Sequence, residues 1–164
     1  MRILNFLLFL SISVILTACY SFTGGSLPEH LKTIYIPAVI DKSGYGNPVY
    51  KDNLHQYLID NMNRDGSLTV TNNKGDSQVS VTIESITESS VSMNQNELET
   101  ERKITISLAI LFVDNINKKN LIEKKISNYG VYEIAQAQAG RDEAVDLALK
   151  QAAEDIMFAI VSGW

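Results

Sequence analysis

RKITISLAILFV, residues 102–113, decides the fold. Ile104, Ile106, Leu108, Ile110 and Phe112 recur at every second position, with Thr105 and Ser107 between the first of them. Successive side chains of a strand point to opposite faces, so this stretch reads as a strand with one apolar and one more polar face. Leu111 and Val113 make the second face apolar near the strand's end. Upstream, QVSVTIESI (78–86) repeats the pattern, with Val79, Val81 and Ile83 against Ser80, Thr82 and Glu84. Ile86 falls out of step, which predicts a bulge or strand end near Ser85. Residues 88–100, polar and acidic with Glu97 and Glu99, read as a long hairpin connection. Downstream, DNINKKN (114–120) reads as a turn into a third strand over residues 121–134, whose pattern is less clean. The three strands make an antiparallel meander.

Two helices flank it. Asn47-Pro48 predicts a helix start, with Asn as N-cap and Pro at the first helical position. Tyr50, Leu54, Tyr57, Leu58 and Met62 follow at helical spacing, and Gly66 ends the run. A last helix is expected after Gly140, with Asp142 and Glu143 at its positive end. Val145, Leu149, Ala152, Ala153, Ile156 and Ile160 form its stripe, and Asp146–Lys150 and Lys150–Glu154 are i,i+4 pairs on the other side. TIYIPAVI (33–40) reads as the first strand, at an edge or broken at Pro37, which lacks an N–H. Residues 68–71 read as a short extension of the sheet. The expected fold is therefore α+β: a two-layer sandwich of two helices packed on one face of a four-stranded, mostly antiparallel sheet, in the order β-α-β-β-β-α. The uncovered face, with Ser80, Thr82, Thr105 and Ser107, suits water or a polar partner.

The chain has 164 residues, 45% hydrophobic and 20% charged, as expected for one folded domain. A formal charge of −5 offers no general cationic field for nucleic acid. One cysteine rules out a disulfide framework. Met1-Arg2 is a short cationic start before a mostly apolar run, residues 3–16. At 1.5 Å per residue such a run reaches about 21 Å, short of the roughly 30 Å hydrocarbon core, and suits a signal peptide better than a membrane span. It ends Leu16-Thr17-Ala18-Cys19, which looks like a bacterial lipobox, with Cys19 as the lipid-bearing residue. The expected organisation is a lipoprotein signal peptide over residues 1–18, a lipidated tether over 19–31 and the α+β domain over 32–164.

Cys19-Tyr20-Ser21-Phe22, then Gly24-Gly25-Ser26-Leu27-Pro28, then Lys32-Thr33-Ile34 running into Pro37, resemble the start of the LptE lipopolysaccharide-assembly lipoproteins. Residues 153–156 and the closing Val161-Ser162-Gly163-Trp164 are similar to the final helix of Bacteroidetes-type members. The resemblance implies two helices on a four-stranded sheet. It also implies a non-enzymatic protein of the outer membrane that sits within an LptD-type β-barrel, plugs it, and contacts lipopolysaccharide during transfer to the outer leaflet. Tyr20 in place of Asp after the cysteine fits the outer membrane.

Such a role calls for cations that meet phosphate. The most basic stretch is Lys118-Lys119 with Lys124-Lys125, around the turn between the last two strands. It reads either as contacts to lipopolysaccharide or the barrel wall, or as a solvated turn whose lysines guard exposed strand ends. Arg102 and Lys103 stand beside Glu97, Glu99 and Glu101, which points to local neutralisation. Tyr50 and Tyr57 read as helix packing, Tyr45 as a loop residue, Trp164 as a cover for the core, and His55 as an exposed helix residue. No nucleophile elbow, P-loop, zinc spacing or dinucleotide fingerprint appears, so no metal, cofactor or catalytic residue is implied. A different class of role remains open at this stage: a periplasmic lipoprotein that regulates a cell-wall enzyme or joins a secretion complex. A small glycoside or lipid hydrolase would need an acid–base or nucleophile arrangement that the sequence does not offer.

Overall fold

The computed structural model describes residues 27–45, 47–91 and 99–163. The elements are β1 (Thr33–Tyr35), β2 (Ile40–Asp41), α1 (Pro48–Asp65), β3 (Thr69–Thr71), β4 (Ser77–Ser90), β5 (Glu101–Asp114), β6 (Lys119–Glu133), a 3-10 turn (Ile134–Gln136) and α2 (Ala137–Val161). They form an α+β fold of two helices and one mixed sheet, ordered β3-β1-β4-β5-β6, with β2 also on β4.

The β4-β5-β6 meander is antiparallel, and its register slips between Ile83 and Ser85, where Ile86 goes out of step. Two expectations are corrected. The sheet has six strands rather than four, because the first stretch breaks at Pro37 into β1 and β2 and residues 69–71 form β3. It is mixed rather than mostly antiparallel, because β1 runs parallel to both β3 and β4, and β2 parallel to β4. The reason is the crossover: α1 carries the chain back along the sheet, so the next strand runs the same way as β1. The path from β3 to β4 passes close against β1. A Cβ on Gly75 would stand 2.9 Å from the Tyr35 amide nitrogen, so only glycine fits there.

Asn47 caps α1 by accepting the Val49 N–H at 3.1 Å, and Gly66 closes it in the left-handed conformation at φ 76°. Tyr50, Leu54, Leu58 and Met62 are its buried stripe. α2 begins at Ala137, ahead of the expected start after Gly140. The reason is a reciprocal cap between Glu133 and Gln136, which leads the chain into a 3-10 turn and then directly into the helix. Gly140 is buried in the first turn, where a Cβ would meet the Gln136 side chain at 2.6 Å. The predicted stripe from Val145 to Ile160 is buried against Ile104, Ile106, Leu108, Ile110 and Phe112 in one core. The helices run parallel, with Tyr50 donating to Asp142 at 2.6 Å and Tyr57 to Asp146 at 2.5 Å. Among the described residues, no helix is long and apolar enough to cross a membrane.

His55 is half-buried rather than exposed. Its Nε2–H donates to the Ile36 carbonyl at 3.0 Å, satisfying a group that the break at Pro37 leaves outside the sheet.

Candidate functional site

Strand register assigns the two faces. Ser80 pairs with Leu111, Thr82 with Ala109, Thr105 with Tyr129 and Ser107 with Ser127, all on the side away from the helices. The Ser107 and Ser127 hydroxyls are 2.9 Å apart at the middle of this open face. Toward one end Tyr129 and Val131 are exposed, and the Lys103 ammonium stands 5.5 Å from the Tyr129 ring centre. Toward the other, Ser80, Thr82, Leu111, Glu123 and Lys125 line a shallow depression of about 520 Å³. The open face is thus a belt of small hydroxyl side chains between two partly apolar ends. Such a surface suits flat contact with another sheet more than a small substrate.

The four lysines do not form one cluster. Lys118 lies in the β5–β6 turn and Lys119 opens β6 opposite Asp114, both exposed. Lys125 pairs with Ala109 on the open face, its ammonium 3.6 Å from Glu84. Lys124 pairs with Ile110 and so belongs to the helix-side face, where it is exposed near the strand edge. Cys19, Glu97 and Trp164 lie outside the described residues.

The β5–β6 turn is built on Asp114, which is 2% exposed. Its Oδ1 accepts the Ile116 and Asn117 N–H groups at 2.9 Å each, and its Oδ2 takes His30 Nε2 at 2.7 Å and the Asn117 amide at 2.9 Å. Burial pushes the Asp114 carboxyl up, but the Asn117 N–H, His30 and the Asn117 amide outweigh it and hold the group down at about 2. The N-terminal segment is thereby fastened to this turn, and Leu31 beside His30 enters the core.

A second polar cluster was not legible as a unit. Glu88 was expected in the hairpin connection. It lies instead within β4 on the helix-side face, because the strand continues to Ser90 and two guanidiniums neutralise it. Its carboxylate meets Arg102 at 3.0 Å, Arg141 at 3.1 Å and the Tyr132 hydroxyl at 2.5 Å. Burial raises the Glu88 carboxyl, and the Tyr132, Arg102 and Arg141 donors reverse that and hold it below its ordinary value. Arg102 also takes Glu99 at 3.1 Å, so the expected local neutralisation is present. The available signal was parity: Glu88 stands two residues after Ile86, at an inward position. At the helix interface, burial followed by the hydrogen bond to Asp142 pushes the Tyr50 hydroxyl up to about 12. Each carboxylate and phenol here is matched by a neighbour within the fold, an arrangement that stabilises a body rather than presenting a reactive group.

A family model for lipopolysaccharide assembly, LptE, matches residues 31–160. A search of curated protein sequences gave no match. Among solved structures, lipoprotein B from Nitrosomonas europaea is similar at 15% identity, over 84% of this chain and 86% of that one, with a TM-score of 0.59. A protein from Xanthomonas campestris is similar at 10% identity, over 84% and 91%, with a TM-score of 0.58. A minor lipoprotein from Acinetobacter baumannii is similar at 13% identity, over 79% and 92%, with a TM-score of 0.54. At such identities the likeness is one of fold. The family is one of assembly lipoproteins associated with the outer membrane. With its model matched across most of the length, helices and sheet included, this chain belongs to the LptE lipopolysaccharide-assembly family.

Proposed function

We propose that the mature protein, anchored by lipid on Cys19 to the periplasmic side of the outer membrane, is the plug and assembly partner of an LptD-type β-barrel. It assists delivery of lipopolysaccharide to the outer leaflet and catalyses nothing itself. In this reading residues 1–18 are the signal peptide, 19–31 the tether and 32–164 the plug. The observation that carries it is the family match together with an open sheet face whose small hydroxyl residues suit the polar wall of a barrel lumen. Lys125 would meet carboxylates of that wall, Lys124 those on the helix side of the lumen, and Lys118 and Lys119 a phosphate-bearing surface at the turn.

The test is purification of the tagged full-length chain from membranes. A large partner whose migration changes on heating, and lipopolysaccharide stranded in the periplasm when the chain is depleted, are the expected results. Recovery of a soluble periplasmic enzyme instead, with surface lipopolysaccharide intact after depletion, would replace this function with a regulatory one.

A further inference from the structure

The end of the molecule that receives the N-terminal segment is built differently from the rest of its surface. His30 lies 2.7 Å from Asp114 and 3.0 Å from Asn117, so the chain arriving from Cys19 passes beside the β5–β6 turn. Cys19 stands eleven positions before His30, and an extended chain spans at most about 3.5 Å per residue, which keeps the anchor within roughly 40 Å of that turn.

The turn is rigid and its hydrogen bonds point inward. Asp114 holds the N–H groups of Ile116 and Asn117. Asn115 donates its N–H to the Asp76 carbonyl at 2.8 Å and its side-chain amide to the Gly75 carbonyl at 2.9 Å. What faces outward is Ile116, 53% exposed, followed by the exposed Lys118 and Lys119. Lys32 and Lys74 are exposed on the adjoining segments. The acids at this end are Asp76, Asp114, Glu29 and Glu123, the last accepting the Asn120 side-chain amide at 3.3 Å. Asp114 spends both oxygens on the protein's own donors and Asp76 its Oδ2 on the Lys32 and Thr33 N–H groups, while Glu29 and Glu123 are exposed. In a chain of net charge −5 this is a local field of ammonium groups around one apolar side chain. Gly, Asn and Asp are the usual residues of tight turns, so an isoleucine held out by so well-bonded a turn is unusual.

We propose that the β5–β6 turn is a second membrane contact. Ile116 enters the headgroup layer of the leaflet that holds the anchor, and Lys118 and Lys119 pair with anionic phospholipid there. The inference rests on the lipid-anchor reading of Cys19. Until a barrel encloses it, a body held by a single lipidated residue on a tether is free to tumble, and a second contact at the same end fixes which way the sheet faces.

The test uses the full lipidated chain in phosphatidylethanolamine vesicles with or without phosphatidylglycerol. With Cys19 acylated, Ile116→Cys supplies the one free thiol for an environment-sensitive fluorophore, and Asp52→Cys near the opposite end supplies the control. Expected are flotation of both proteins, and a blue shift with quenching by lipid-borne quenchers at position 116 only, on anionic vesicles. Adding K118Q and K119Q removes the attraction of two lysines and lowers this docking by about 30-fold while flotation persists. Flotation without any shift at 116 overturns the turn contact and leaves the anchor standing. Absence of flotation overturns both. A shift seen only when lipopolysaccharide replaces phosphatidylglycerol overturns the phospholipid assignment.

Discussion

Gly130 of β6 lies directly beneath Ala144 of α2: a Cβ at position 130 would stand 2.1 Å from the Ala144 carbonyl oxygen. This contact sets how near the last helix approaches the sheet. Gly130→Ala forces a methyl group against the Ala144 backbone, where no side chain can swing aside, and is expected to cost about 2–3 kcal/mol. Thermal unfolding followed by circular dichroism should show a midpoint lower by roughly 5–10 °C.

The two helices are joined by Tyr50–Asp142 and Tyr57–Asp146. Tyr50→Phe keeps the ring and removes the donor, leaving Asp142 with the Gln138 amide at 2.8 Å, and should cost about 1 kcal/mol in urea unfolding. The same pair makes the fold alkali-sensitive. An unfolded chain releases this phenolic proton near 10.0, whereas the folded chain keeps it to about 12. The stability it gives is complete below pH 10 and is lost as pH rises through that interval. The half-buried Tyr57 hydroxyl, also raised, acts in the same direction. In the Tyr50→Phe protein the alkaline fall in stability should be shallower.

At the acid end the sign reverses. Asp114 is held at about 2 against an ordinary 3.8, so the unfolded chain takes up its proton first as pH falls. The stability from this carboxylate is present above 3.8 and disappears toward pH 2. Asp114→Asn should lower stability at neutral pH and flatten the slope between these values, with urea midpoints measured across the interval as the check.

Glu88 stands between Arg102 and Arg141 with its side chain 18% exposed. Glu88→Gln leaves two guanidiniums facing one neutral amide, and a loss of about 1–3 kcal/mol is expected for a charge pair only partly screened by water. If denaturant unfolding finds the variant as stable as the parent, the cluster is an ornament of the surface rather than a support of the hairpin.

Lys118 occupies the left-handed region at φ 53°, which favours glycine. Lys118→Gly relieves that strain and should raise stability by about 1 kcal/mol, while removing one of the two ammonium groups on the turn. The substitution therefore separates stability from membrane contact: the first should improve and the second weaken.

The meander, both helix stripes and the caps at Asn47 and Gly66 were legible because each is a local pattern of period two or 3.6, or a cap with a known chemistry. Parallel pairing of β1 with β3 and β4 was not, since Thr33–Tyr35 carries no mark of which strands will flank it. Gly140 marks a start for α2 more strongly than the Glu133–Gln136 cap does, although the cap is the one that leads into the helix. Nearness in sequence does not group the lysines in space, because a period of two sends Lys124 and Lys125 to opposite faces. The Glu88 cluster joins residues 14, 44 and 53 positions apart, which no local window contains.

β1 has a further consequence for how the molecule forms. The bond from Ser77 to Thr33 closes a span of 44 residues, whereas β5 and β6 need only a four-residue turn between them. Local hairpins zip early and distant parallel pairings late. A half-formed chain therefore holds a finished hairpin ribbon whose β4 border has not yet received its first-made neighbour. That border is where a stranger's strand would be accepted in error, and where a chaperone would most usefully stand guard.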